Sequence, residues 1–312
     1  MGRFRTKLAG LLEYVGVRSK DYYHTGTRVT YNPDDPLAYY LDVADRAHYR
    51  GPFDPDGVPL YARGEQNIHV PVLIAFYALG HLALHRRSGS EDHLTTFLKI
   101  ADWFVSRQTA DGAWLTSFPR KKFGLQAGSP SAMIQGLAIS TLVRAYRITN
   151  EQAYRECAKR ALSPFRLDVL KGGVSSFVDE HVFYEEYPTV PPHHVLNGFI
   201  YALWGLYDLV RLDDHGEAKS LYDAGLKTLA DWLPRFDTGI WSLYHVSNGM
   251  KNPATVHYHR LHISQLEVMY ALSGNDLFNE YAVRWDGYLQ KKFNALRTLP
   301  AKILWRLFYK PP

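Results

Sequence analysis

The stretch Val70-Pro71-Val72-Leu73-Ile74-Ala75-Phe76-Tyr77-Ala78-Leu79-Gly80-His81-Leu82 begins a helix-length run, residues 70–86, that is apolar on nearly every side. A helix without a polar face belongs inside a domain, since none of its faces gains from contact with water. The same kind of run returns at residues 131–147 and 194–210, and more weakly at 258–272. Each is followed by a charged, amphipathic stretch, at residues 92–108, 151–166, 217–235 and 276–290. The context Ala101-Asp102-Trp103-Phe104 recurs as Ala230-Asp231-Trp232-Leu233. The first three pairs end in glycine turns with a short β-like run: Asp111-Gly112-Ala113-Trp114, Gly172-Gly173-Val174-Ser175 and Thr238-Gly239-Ile240-Trp241. Gly112, Gly173 and Gly239 are separated by 61 and 66 residues.

A repeat of one buried and one amphipathic helix predicts stacked helical hairpins. The expected fold is all-α, an α/α toroid of about four hairpins with short β-like turns at one end. Function is expected on the connecting segments at that end. Residues 1–66 form an irregular N-terminal lead-in packing on the barrel, with short helices expected at 3–15 and 37–48. Residues 67–290 form the barrel, and residues 291–312 a basic amphipathic tail. Such a tail either docks as a last helix or lies on an anionic membrane; the sequence leaves both open.

Lys and Arg number 36 against 31 Asp and Glu, a net charge of +5, which favours acidic partners without choosing among them. No basic stripe with interleaved aromatics runs through the repeats, which disfavours nucleic acid. One cysteine, Cys157, excludes an internal disulfide, and the 14 histidines show no zinc-ligand spacing, so no metal is expected. No apolar run is long enough for a membrane span or a cleavable signal, so the expected location is the cytoplasm, either free or at the membrane's inner face.

The chemistry is expected in Tyr184-Glu185-Glu186-Tyr187-Pro188-Thr189-Val190-Pro191-Pro192-His193-His194. Two carboxylates stand between two tyrosines, before a turn that three prolines hold extended at the start of the third inner helix. A carboxylate and a phenol fixed there are acid/base equipment; composition alone favours a solvated Glu pair with two tyrosines packing at a helix start. Residues 250–257 occupy the equivalent place before the fourth inner helix.

Several strings resemble the C-terminal catalytic region of D-glucuronyl C5-epimerases, which convert glucuronate to iduronate within heparan-type polymers. They are Glu185-Glu186-Tyr187-Pro188-Thr189, Val195-Leu196-Asn197-Gly198-Phe199, Gly205-Leu206-Tyr207-Asp208-Leu209 and Ser131-Ala132-Met133-Ile134-Gln135-Gly136. Asp237-Thr238-Gly239, Tyr244, Tyr258-His259 and His262-Ile263-Ser264-Gln265-Leu266 extend the likeness, which covers roughly residues 57–289. The resemblance implies an α/α barrel, a homodimer and a glucuronyl C5-epimerase acting on an acidic polysaccharide such as heparosan. It implies catalytic roles for Glu186, Tyr187, Tyr244 and Tyr258, with Asn197 near the substrate. Ser247 stands where the family often has an arginine, which puts the sugars flanking the target in doubt.

Inverting C5 of a uronate needs a base on one face, an acid on the other and stabilisation of the enediolate between them, and it asks for no cofactor. Glu186 and Tyr258 are the expected pair, with Tyr187 and Tyr244 as donors. Gln135, His259, Trp114 and Lys121 are expected to touch substrate, the last beside Arg120 and Lys122. Two other readings compete: a polysaccharide lyase that follows proton abstraction with β-elimination, and a non-catalytic acidic-glycan-binding module.

Overall fold

The computed structural model describes residues 26–309 apart from 248 and 292. The helix expected at 3–15 lies outside the described residues. Four inner helices carry the core: α1 (Pro71–Ser88), α3 (Ala132–Thr149), α6 (Leu196–Asp213) and α8 (Val256–Ser273). Each is followed by an outer helix: α2 (Glu91–Arg107), α4 (Gln152–Arg160), α7 (Gly216–Trp232) and α9 (Asp276–Gln290). Proline shortens two of the outer helices. Pro164 starts a separate short helix, α5 (Ser163–Arg166), and Pro234 turns the end of α7 into a 3-10 turn, Leu233–Phe236. Inner helices pack in the order α1–α3–α6–α8. At the α3–α6 crossing the backbones nearly touch: a β-carbon on Gly136 would lie 2.3 Å from the Tyr201 carbonyl oxygen, so glycine is required there.

Two-stranded antiparallel hairpins lead into three of the inner helices. They are β1–β2 (Leu60–Arg63, Gln66–His69), β3–β4 (Ser175–Val178, His181–Tyr184) and β5–β6 (Leu243–His245, Asn252–Pro253). The first glycine turn, at Gly112, forms no strand, contrary to expectation: Gln135 holds its backbone groups instead of a partner strand. The boundary expected between residues 66 and 67 falls within the β1–β2 hairpin.

Over residues 37–48 the lead-in is less helical than expected. Among the described residues of the lead-in, Ala44–His48 alone is helical, a 3-10 turn; the polar groups divide between bonds to one another, as from the Thr30 and Tyr31 amides to the Tyr40 carbonyl, and bonds to the barrel. The carbonyls of Leu37 and Ala38 accept from the buried Arg144 guanidinium, at 3.3 and 2.8 Å. The Tyr40 hydroxyl donates to Asp208, at 2.9 Å. Ser264 on α8 donates to the Thr27 carbonyl, and Gly80 on α1 packs against the backbone of Val43 and Ala47. Residues 26–48 thus fill the ring between the C-terminal halves of the inner helices and leave their N-terminal turns for the hairpins.

A last helix, α10 (Asn294–Phe308), docks on β6. Lys302 Nζ donates to Asn252 Oδ1 at 2.7 Å and to the Pro253 carbonyl at 2.9 Å. Lys122 Nζ meets the carbonyls at its C-terminal end, including Tyr309 at 2.7 Å, a favourable place for a cation.

Candidate active site

Strand β4 delivers the two carboxylates. The Glu185 amide donates to the Val174 carbonyl at 2.7 Å, and the Ala132 amide donates to the Glu185 carbonyl at 2.9 Å. Successive side chains on extended backbone point to opposite sides, so the two glutamates have different surroundings. Glu185 is wholly buried against His194, 2.7 Å from Nδ1 and accepting from the His194 amide at 3.1 Å. His194 holds a left-handed φ of 44°, uncommon for a residue with a β-carbon. Glu186 turns instead to the N-terminal turns of α1 and α3. It lines a narrow cleft of about 40 Å³ with Val70, Ser117, Phe118, Arg120, Ser131 and Met133.

Glu186 is only 8% exposed. Gly198, in the first turn of α6, makes room for it: a β-carbon there would fall 2.5 Å from Glu186 Oε2. Burial pushes the carboxyl up to about 7, against the hydrogen bond from Tyr187 and the charge of Arg120, which pull it down. Arg120 lies over the Phe118 ring, 4.4 Å from its centroid.

Three tyrosines continue from the carboxylate. Tyr187 Oη is 3.5 Å from Tyr244 Oη, the far limit of a hydrogen bond. The rings of Tyr244 and Tyr258 meet edge to face at 4.9 Å. Burial raises the phenols of Tyr187 and Tyr244 well above their ordinary value, with the Glu186 charge adding to it. Tyr244 sits on β5, and Tyr258 in the first turn of α8, whose start Thr255 caps. Residues from three connecting segments therefore meet at one end of the ring. Phe123 stacks on Tyr187 at 4.4 Å and touches Trp305 of α10.

Other expected contacts are placed differently. Asn197 is buried one residue before Gly198; its Oδ1 has no protein partner, and its carbonyl accepts from Gln265 at 3.1 Å. Trp114, Gln135, His259 and Asn197 do not line the Glu186 cleft, and Tyr244 and Tyr258 join it only through Tyr187. Gln135 is spent on backbone, accepting from the Trp114 amide at 2.9 Å and donating to the carbonyls of Gly112 and Ala161 at 2.9 and 3.1 Å. The Trp114 indole is buried and donates to the Phe104 carbonyl at 2.8 Å. His259 stacks on Trp241 and bonds Ser242 and the Trp285 carbonyl at 2.8 and 3.0 Å; burial lowers it to about 4. Lys121 is exposed and outside the cleft, so Arg120 supplies the cation there. Only the family resemblance, not the local pattern, separated Glu185 from Glu186, and nothing singled out Phe123 or Gly198. The two-residue period of β4 held the first signal; the others rest on tertiary contact. Among the described residues, no group of three or more His, Cys, Asp or Glu side chains could hold a metal ion.

The architecture is that of the α/α toroids. Cellobiose 2-epimerase from Bacillus thermoamylovorans superposes with a TM-score of 0.56 at 12% identity, over 93% of this chain and 88% of that one. An unsaturated glucuronyl hydrolase specific for heparin gives 0.50 at 12% identity, over 87% and 68%. Within that class, the chain belongs to the family described as D-glucuronyl C5-epimerase C-terminus, whose model matches residues 108–287. The D-glucuronyl C5-epimerase of Caenorhabditis elegans is 37% identical over 222 residues, 65% of this chain but 36% of that protein, so this chain matches only about a third of that relative. An uncharacterized protein of Methanocaldococcus jannaschii is 26% identical over 269 residues, 81% of this chain and 83% of that one.

Proposed function

We propose that the chain is a uronate C5-epimerase, converting D-glucuronate to L-iduronate residues within an acidic polysaccharide. The observation that carries this reading is a buried carboxyl poised near neutrality, at the head of a row of three tyrosines. A base works best when its pKa lies near the working pH, and Glu186 is held at about 7. Family membership and the 37% identical worm epimerase support the same chemistry.

In this mechanism the Glu186 carboxylate takes the C5 proton. The C–H electron pair delocalises into the uronate carboxylate as an enediolate. Arg120 and the protonated phenols of Tyr187 and Tyr244 neutralise the growing charge. The N-terminal turns of α1 and α3 line the cleft, and their dipoles favour an anion. Tyr258 then gives its proton to the other face of C5. Solvent removes the proton from Glu186 and restores the one on Tyr258, so no redox change is needed. The reverse reaction uses the same groups in exchanged roles.

The test is incubation with an unsulfated glucuronate polymer in heavy water, followed by sugar analysis. Iduronate carrying deuterium at C5 is the expected product. An unsaturated, ultraviolet-absorbing product without iduronate would make the chain a lyase. Absence of exchange at C5 would leave the glycan-binding reading.

A further inference from the structure

Helix α10 is inside out. The positions facing the protein are Asn294, Thr298, Lys302 and Trp305, all buried, at the spacing of one helical face. Three of these four are polar, and Lys302 is held by hydrogen bonds to β6. The apolar residues point outward: Phe293, Leu296, Ile303, Leu304, Leu307 and Phe308, from 40% exposed at Ile303 to 72% at Phe293. Leu296, Ile303 and Leu307 fall on one stripe by the 3.6-residue repeat. Arg297 and Arg306 lie on its two flanks. A helix that hid its polar side and left this stripe in water would forgo the main gain of folding, so the stripe needs a partner.

Charge identifies that partner. No aspartate or glutamate occurs between residues 287 and 312, while Lys291, Lys292, Arg297, Lys302, Arg306 and Lys310 do. A protein surface complementary to this face would carry carboxylates around an apolar centre. An anionic bilayer offers both features everywhere, and aliphatic and aromatic side chains flanked by arginine suit its boundary between headgroups and acyl chains. We propose that the outer face of α10 binds the surface of an anionic membrane, with the helix lying in the plane of the interface. No helix among the described residues is long and apolar enough to cross a membrane. Because α10 also contacts Phe123, which stacks on Tyr187, the docked protein would hold its cleft beside the lipid surface. The proposal does not depend on the reaction assigned to that cleft.

The experiment is sedimentation of the full chain with extruded vesicles, either neutral phosphatidylcholine or a mixture containing about a third phosphatidylglycerol. Binding is expected to the anionic vesicles alone and to weaken at least tenfold between low and high salt, since exposed charge is screened. Leu304→Ser/Leu307→Ser and, separately, Arg297→Glu/Arg306→Glu should each reduce binding about tenfold or more. Both pairs lie on the exposed side, and thermal melting checks that the fold is kept. Equal binding to both vesicle types, or unchanged binding by both variants, would overturn the proposal. So would a concentration-dependent dimer that both variants dissociate without any vesicle binding, which would give the face to a second copy of the chain.

Discussion

Glu186 loses most of its hydration in the cleft, and that loss has a sign. Its folded pKa of about 7 lies above the ordinary 4.5, so the folded state holds the proton more tightly than the unfolded chain. Burial therefore costs nothing below about pH 4.5. The penalty grows as pH rises toward 7 and is complete above it, at roughly 3 kcal/mol. Glu186→Gln cannot ionise, so its urea stability relative to the parent should rise by about that amount between pH 4 and pH 8, while epimerisation is abolished. The parent's kcat/KM should climb with pH through about 7. Tyr244→Phe should lower kcat roughly a hundred- to a thousandfold, as expected for one lost donor to a developing anion. Gly198→Ala tests positioning: its methyl group must displace Glu186 Oε2, and we expect about a hundredfold loss of kcat with the fold retained by circular dichroism. Glu186 and Tyr187 stand together before a proline turn, which marked their segment, while the choice of these two as acid/base groups came from the family resemblance. Tyr244 and Tyr258 were visible only through family resemblance, since no local pattern joins residues from different hairpins. Gln135, on an inner helix, suited either sugar hydroxyls or buried backbone, and its amide meets the carbonyls of Gly112 and Ala161.

At the scale of elements, the eight long barrel helices were readable from alternating all-apolar and amphipathic runs, with ends displaced by no more than three residues except where proline intervened. The lead-in was not, because its backbone bonds to side chains such as Arg144 that lie more than a hundred residues away. Helix α10 defied its own amphipathicity: Lys302 reaches the backbone of β6, and Trp305 fills the space beside Phe123 and His245. Trp305→Ala should therefore cost roughly 3–5 kcal/mol in urea unfolding. Truncation after Gln290 should destabilise the protein and slow catalysis, because it strips the cover from Phe123. A truncated chain with unchanged melting and kcat would show that α10 contributes neither.

The whole molecule is tied together from inside the ring. Arg144 and Asp208 pair at 2.7 Å in the core between α3 and α6, and the lead-in closes over them. Asp208→Ala leaves a buried guanidinium without its counter-charge and should cost roughly 3–5 kcal/mol, read by urea denaturation as a shift of the whole transition. The bond from Ser264 to Thr27 joins residues 237 apart in the chain. During synthesis, Thr27 emerges from the ribosome long before its partner exists, and at roughly 5–20 residues per second it waits many seconds for it. Successive hairpins can form as they appear, but the keystone is made first and seated last. Until α8 arrives, the apolar inner faces of three hairpins surround an unfilled centre, the interval in which a nascent chain of this shape most needs a chaperone.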